Sequence, residues 1–127
     1  MISVTLNLMV HYESPALDRS FAALSDATRR GVIAELARRE ASISDLAGRF
    51  GMTLTGMKKH VAVLEGAGLV ATQKVGRVRT CRLGARGLDH EAQWLADMAA
   101  LFEARFARLD TVLDELKQEE EHGRAND

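Results

Sequence analysis

A basic, hydrogen-bonding face accompanies an apolar stripe in the segment 53–68. At a helical period of 3.6 residues, four apolar side chains fall on one side and are expected to be buried. These are Leu54, Met57, Val61 and Leu64. The opposite side carries Thr55, Lys58 and Lys59, with no acid before Glu65. A slim helix with cations and a hydroxyl on its exposed face suits the DNA major groove, so the pattern predicts contact with DNA.

The first turns of such a helix reach base edges, which assigns roles to its exposed side chains. Lysine can donate to guanine O6 and N7, and threonine can hydrogen-bond to a base or contact a thymine methyl. We therefore predict base or near-base contact for Thr55 and Lys58, and phosphate contact for Lys59. Gly56 would permit close approach of the backbone, although an indifferent small residue explains it equally well.

Residues outside this helix extend the predicted contact surface. Lys74, Arg77 and Arg79 would hold flanking phosphates or enter the minor groove. Ser42 stands at the predicted amino end of the preceding helix, where backbone N–H groups can bind a phosphate, although helix capping alone also explains this serine. The predicted DNA-binding set is Ser42, Thr53, Thr55, Gly56, Lys58, Lys59, Lys74, Arg77 and Arg79.

Charge is distributed unevenly along the 127 residues, although the net charge is only −1. Residues 53–83 hold six cations against one acid, a net charge of +5, whereas residues 84–127 hold five cations against eleven acids, a net charge of −6. A polyanion would be steered to the basic middle of the chain. The alternative is that this segment is simply a solvated face.

The composition limits the classes of protein that the chain can represent. With 46% hydrophobic and 28% charged residues, it fits one soluble domain. Neither a membrane-spanning run nor a secretory signal pattern is found, so we expect a cytoplasmic protein without a membrane partner. The single cysteine, Cys81, excludes an intrachain disulfide. The absence of a glycine-rich phosphate loop, a nucleophile elbow and a paired-carboxylate signature argues against an enzyme.

Capping signals divide the chain into helices that would position the basic face. The predicted helix starts are Ser14, Asp26, Ser42 and Thr53. Gly51 ends the third helix, so the third and fourth helices form a helix-turn-helix. The segments 69–75 and 78–83, joined by Gly76 and Arg77, predict a two-stranded hairpin, or wing. The predicted fold class is mainly α with a small β-hairpin (α+β), a winged helix-turn-helix.

A long amphipathic helix is predicted from about Leu88 to Glu119. Its apolar stripe must be buried against another surface, and the same stripe of a second copy is the simplest such surface. We therefore predict a homodimer through the terminal helices. Packing of part of the stripe onto the first helix of the same chain is also expected. The predicted dimer contacts are Trp94, Leu95, Met98, Phe102, Phe106, Leu109 and Leu113. The predicted domains are an extension that is a strand or disordered (1–12), the winged domain with its dimerisation helix (13–119) and a disordered tail (120–127).

Three blocks in the order found here resemble the ArsR-type winged-helix transcriptional repressors. They are Phe21–Arg30, Lys59–Val70 and Gly76–Leu83, within a similarity that covers about residues 9–116. The likeness is strongest to a metal-independent branch with a tryptophan-bearing final helix, here with Trp94. The resemblance implies a bacterial homodimer that binds an inverted-repeat operator and represses a promoter without a cofactor. Lys58 stands where serine is common in the family, so the operator sequence is not carried over.

Metal or thiol sensing and protein–protein contact are the alternatives. The family's thiolate metal site needs a Cys-x-Cys at the start of the third helix, and segment 41–46 has no thiol. A site on the final helix would have only His90 and, in the tail, His122. Cys81 is either a small buried side chain or a redox switch whose pKa is lowered by the neighbouring Arg79 and Arg82. A winged-helix adaptor that docks an acidic protein is the remaining alternative.

Overall fold

The computed structural model describes residues 14–126, and the predicted extension at residues 1–12 lies outside them. The chain has the winged helix-turn-helix order that the sequence predicts. The elements are α1 (Pro15–Leu24), α2 (Ala27–Arg38), β1 (Ala41–Ser42), α3 (Ile43–Arg49), α4 (Leu54–Gly66), β2 (Val70–Val75), β3 (Val78–Leu83) and α5 (Asp89–Asn126).

The first four helices begin at the side-chain caps that the sequence predicts. Each cap oxygen accepts a hydrogen bond from the backbone N–H three residues later, which satisfies a donor that the helix itself leaves free. The caps are Ser14, Asp26, Ser42 and Thr53. The bond from the Arg29 N–H also holds the pKa of Asp26 below its ordinary value.

The wing belongs to a three-stranded antiparallel sheet with the order β1-β3-β2, whereas the sequence predicted two strands. Strands β2 and β3 pair from Val70↔Leu83 to Val75↔Val78. Gly76, at the first loop position, has φ 62, as a type II′ turn requires. The additional strand, β1, pairs Ala41 with Cys81. Two residues are too short to show the alternation by which a strand is detected in a sequence.

The core lies between α2, α3, α4 and the base of the sheet. Met57, Val61 and Leu64 of α4 are buried as predicted. The expectation that Leu54 is also buried is wrong, since it is 43% exposed. Leu54 is the first residue of α4, and its side chain lines a cleft beside the wing instead of packing in the core with Met57 and Leu64.

The first turns of α5 pack on their own chain. The ring of Trp94, predicted as a dimer contact, lies edge-on to Phe21 of α1 with centroids 5.5 Å apart. This is the intrachain packing that the sequence analysis expects for part of the stripe. From Leu101 to Gly123, every residue is exposed. The 38 residues of the helix span about 57 Å, so its distal part projects away from the domain.

The helix α5 continues to Asn126, whereas the sequence analysis ended it near Glu119 and predicted a disordered tail. Glutamate is a good helix former, and no proline interrupts residues 119–126, so the helix continues beyond its apolar stripe. Within residues 14–126, no helix combines the length and the apolar character needed to cross a membrane.

Candidate nucleic-acid interface

A cleft of about 680 Å³ lies between the start of α3, the outer face of α4 and the wing. Five of the predicted DNA-binding residues line it. They are Ser42, Lys58, Lys74, Arg77 and Arg79. The structure therefore brings a helix lysine and three wing cations to one concavity. Four predicted residues do not line the cleft and lie at the cap and in the first two turns of α4: Thr53, Thr55, Gly56 and Lys59.

Three of the cleft cations have no acidic partner in the part of the chain that the structure describes. Among the described residues, Lys58, Lys74 and Arg77 form no ion pair with an acidic side chain, and all three are exposed. Their charges are therefore free to neutralise an external anion. Positive charge concentrated in a concave surface raises the local concentration of anionic partners.

Arg79 is held in place by a relay across the wing. Its Nη1 donates to Thr72 Oγ1 at 3.0 Å, and that hydroxyl donates to Glu65 Oε2 at 2.6 Å. Glu65 thus places a carboxylate in the basic cleft and orients Arg79 without contacting it directly. The sequence analysis missed Thr72, because Thr72 and Arg79 become neighbours only when β2 pairs with β3.

Leu54 and Ser44 also line the cleft and were missed as candidate contacts. Leu54 lies one helical turn before Lys58, with Val61 and Val78 contributing to the same cleft. An apolar side chain in this place can contact a thymine methyl group. One feature of the sequence could have indicated that Leu54 is exposed. It is the first residue of the helix, so no preceding helical turn covers its side chain.

Gly56 has a structural role in addition to the DNA approach predicted for it. Its N–H donates to Thr53 Oγ1 at 3.0 Å, which closes the cap of α4. A Cβ atom at Gly56 would lie 3.1 Å from that oxygen and 3.2 Å from Met52 Cε. The glycine therefore keeps the start of the candidate reading helix compact.

His60 and Arg29 connect the outer edge of α4 to the end of α1. Arg29 donates through Nε to the Ala23 carbonyl at 2.7 Å and through Nη1 to His60 Nδ1 at 3.2 Å. A guanidinium group at the carboxyl end of α1 is also favoured by the helix dipole. His60 is half-buried, so we assign it to packing between the helices.

Cys81 lies in the interior of the domain, where it is 0% exposed. Burial raises the pKa of its thiol, and the nearby Glu65 raises it further, while Arg79 only partly opposes them. The redox-switch hypothesis required a lowered pKa and is wrong on this point. Within residues 14–126, no cluster of three or more histidine, cysteine or acidic side chains could hold a metal ion.

Cys81 is expected to resist thiol reagents in the folded protein at neutral pH, because a buried and protonated thiol is a poor nucleophile. Ellman's reagent should label less than about a tenth of the cysteine in native protein within the time that labels all of it in guanidinium chloride. Rapid stoichiometric labelling of the native protein would contradict the buried position.

A helix-turn-helix domain family matches residues 24–73. The HTH-type transcriptional regulator Rv2034 of Mycobacterium tuberculosis is 34% identical over 80 residues, covering 63% of this chain and 73% of the relative. A crystal structure of an ArsR family transcriptional regulator is 41% identical with a TM-score of 0.64, covering 69% of this chain and 91% of the other.

A second solved structure, an ArsR-like transcriptional regulator from Rhodococcus sp. RHA1, is 34% identical with a TM-score of 0.68. The similarity covers 79% of this chain and 92% of that protein. The matched segment 24–73 contains α2, α3, α4 and the start of β2, and it includes the α3 and α4 residues that line the cleft, whereas Lys74, Arg77 and Arg79 of the wing follow it. The chain therefore belongs to the ArsR family of helix-turn-helix, DNA-binding transcriptional regulators.

Proposed function

We propose that the protein is a bacterial, cytoplasmic repressor that binds an inverted-repeat operator as a homodimer. Each copy would present the first turns of α4 to the major groove and the wing to the flanking backbone. The observation that carries this proposal is the cleft in which Lys58, Lys74 and Arg77 lie without an acidic partner among residues 14–126. A DNA strand that passes between α4 and the wing would neutralise these cations.

The distal part of α5 supports the homodimer. Eight large apolar side chains between residues 95 and 116 are 42–62% exposed. They are Leu95, Leu101, Phe102, Phe106, Leu109, Val112, Leu113 and Leu116. From Phe102, steps of 4, 3, 4 and 3 residues lead to Leu116, which is the spacing of a helix that pairs with another helix. A second copy supplies the same stripe and covers both.

The proposed function is tested by selecting genomic DNA fragments on the purified protein and sequencing the bound ones. Enrichment of one inverted-repeat motif, together with a dimer mass in sedimentation, would support the proposal. Salt-sensitive binding to every duplex without any preferred sequence would contradict sequence-specific repression. Together with binding to an acidic protein, that result would favour the adaptor alternative.

Lys58→Ala and Arg77→Ala are expected to affect operator binding in different ways. Loss of Lys58 should weaken binding and reduce discrimination at one base position by about 1–3 kcal/mol. Loss of Arg77 should weaken all sequences nearly equally and flatten the slope of log K against log salt by about 1. The wild-type slope is expected to be about −5 to −7, from roughly four phosphate-facing cations per subunit. Fluorescence anisotropy over a salt series measures both effects.

Arg38→Ala is the matched control, because Arg38 is an exposed cation at the end of α2 and lies outside the cleft. It removes the same charge as Arg77→Ala and should leave both the salt slope and the base preference unchanged. If Lys58→Ala and Arg77→Ala bind the operator with the same affinity as the wild type, the DNA contacts assigned to Lys58 and Arg77 are wrong.

A further inference from the structure

A charge cluster with a buried carboxylate and a partly exposed guanidinium group joins the end of α4 to the start of α5. We call it the Arg86 cluster, and it consists of Arg86, Glu91, Ser20 and the main-chain carbonyl of Ala67. Arg86 Nη2 donates to Glu91 Oε1 at 2.9 Å, to Ser20 Oγ at 2.6 Å and to the Ala67 carbonyl at 3.0 Å. Its Nε donates to the same carbonyl at 3.3 Å. One guanidinium group therefore holds three helices together.

The members of the Arg86 cluster occupy the ends of the elements that matter for DNA binding. Ala67 is the carboxyl-terminal cap of α4, the candidate reading helix. Glu91 lies in the first turn of α5, the candidate dimerisation helix, and Ser20 lies in α1. The cluster thus contacts both the helix that would read DNA and the helix that would pair with a second copy.

The protein environment favours a single arrangement of the cluster. Glu91 is 3% exposed and Ser20 is 0% exposed. Burial alone would raise the pKa of Glu91, but the hydrogen bonds from Arg86, Ser20 and the backbone, together with the positive charge of Arg86, outweigh burial, so the pKa lies below its ordinary value and the carboxylate is charged. Moving α4 away from α5 would break the two hydrogen bonds from Arg86 to the Ala67 carbonyl, while the ion pair between Arg86 and Glu91 would stay with α5.

The covalent connection between the wing and α5 does not fix the direction of α5 by itself. Residues 84–88 form no helix or strand, and Gly87, two residues before α5, has φ 64. Apart from the cluster, α5 is held to the domain by contacts with α1 such as that between Trp94 and Phe21. Within the described residues, the side chain of Arg86 links Glu91 of α5 to the Ala67 carbonyl at the end of α4.

We propose that Arg86 is a positioning residue that sets the angle between α4 and α5, and through it the spacing of the two operator half-sites. This inference rests on the proposed function, because a spacing exists only for a dimer on an inverted repeat. In that dimer, the two α5 helices fix one subunit relative to the other. The angle of α4 to α5 then determines how far apart and in which rotation the two α4 helices meet the DNA.

Spacing is a sensitive measure of this angle. Adjacent base pairs are about 3.4 Å apart and rotated by about 35°, so inserting one pair between half-sites changes both distance and rotation. A rigid dimer should therefore discriminate strongly between operators that differ by one or two base pairs in the spacer. A dimer whose α4 can turn relative to α5 should tolerate them.

The experiment uses the full chain and duplexes that carry the half-site selected by the wild type. The half-sites are arranged as inverted repeats, and their separation is varied in single base-pair steps. Arg86→Met removes every hydrogen bond of the guanidinium group but keeps an apolar stem. We expect the wild type to prefer its best spacing over a two-pair change by at least 10-fold and Arg86→Met by less than 3-fold. Binding to an isolated half-site should change by less than 3-fold.

Arg49→Met is the control, because Arg49 forms an ion pair with Glu35 between α3 and α2 and contacts neither α4's end nor α5. The side chains of Arg49 and Arg86 are similarly exposed, at 31% and 32%. The control should keep the wild-type spacing profile. If Arg86→Met does not fold, Glu91→Gln is measured by the same criterion, since it keeps the side-chain volume but removes the charge.

The results separate the inference from the proposed function. If all spacings weaken by one common factor in the Arg86 or Glu91 variant, the cluster serves only stability and the inference is overturned. If the wild type itself is monomeric or has no preferred spacing, the proposed function fails first. A flattened profile in the cluster variants alone supports the positioning role.

Discussion

Phe106→Asp is expected to convert the proposed dimer into a monomer and to weaken binding to an inverted-repeat duplex by about 10²–10⁴-fold. Phe106 is 62% exposed, midway along the apolar stripe of α5. In a dimer its ring would be covered by the second copy, where a carboxylate is costly to bury. In the monomer the substitution is on the surface and should change the free energy of unfolding by less than about 0.5 kcal/mol.

Sedimentation velocity at micromolar concentration reports the mass, and anisotropy on full and half operators reports the affinity. The affinity of Phe106→Asp for a half-site should equal that of the wild type, because the cleft is untouched. Ala104→Asp is the matched control, since Ala104 is exposed two residues away and lies off the stripe that Phe102, Phe106 and Leu109 form. If Phe106→Asp still sediments as the wild type does, the stripe is not the dimer contact.

The uneven distribution of net charge along the chain is consistent with separate roles for the cleft and for α5. The basic segment 53–83 provides the cleft cations, whereas the acidic segment 84–127 contains α5. Phosphate groups are attracted to the cleft and repelled from the final helix. In the proposed complex, the stripe of α5 would therefore stay available for a second copy while the wing and α4 bind the polyanion.

Signals carried by a few neighbouring residues predicted the starts of the first four helices correctly. A cap such as Ser42 or Thr53 needs only the N–H three residues further along the chain, so its function can be inferred from the local sequence. The wing was also predictable, because Gly76 provides the positive φ that the two-residue loop requires. The cleft cations were predicted from their positions on α4 and on the wing.

Features that depend on distant parts of the chain could not be predicted. Strand β1 forms only because Ala41 pairs with Cys81, 40 positions further along the chain, once the chain has folded. The exposure of Leu54 depends on where the wing lies relative to the start of α4. Arg86 contacts Ser20, 66 positions away in the sequence, and no periodic pattern connects them. Sequence reasoning thus identified the elements but not the contacts that fix their mutual orientation.

Gly84→Ala is expected to lower the free energy of unfolding by about 3 kcal/mol, the upper part of the range for inserting an atom into packed structure. A Cβ atom at this position would lie 2.2 Å from the Gly68 carbonyl oxygen and 3.2 Å from the Leu69 carbonyl carbon. Both are main-chain atoms that cannot rotate away. The Gly84 N–H also donates to the Leu69 carbonyl at 2.8 Å, which ties the end of the wing to the segment after α4.

Urea unfolding followed by circular dichroism measures this change, with a lower midpoint and an unchanged slope as the expected result. Gly48→Ala is the control, because Gly48 lies within α3 and a Cβ atom there meets nothing within 4 Å. That substitution should stabilise the protein by about 0.5–1 kcal/mol, since alanine loses less backbone entropy in a helix. A Gly84→Ala midpoint at or above that of the wild type would show that the two segments can separate at no cost. The segment 84–88, which carries Arg86, would then be held too weakly for Arg86 to orient α4 relative to α5. The measurement therefore also tests the proposed control of operator spacing.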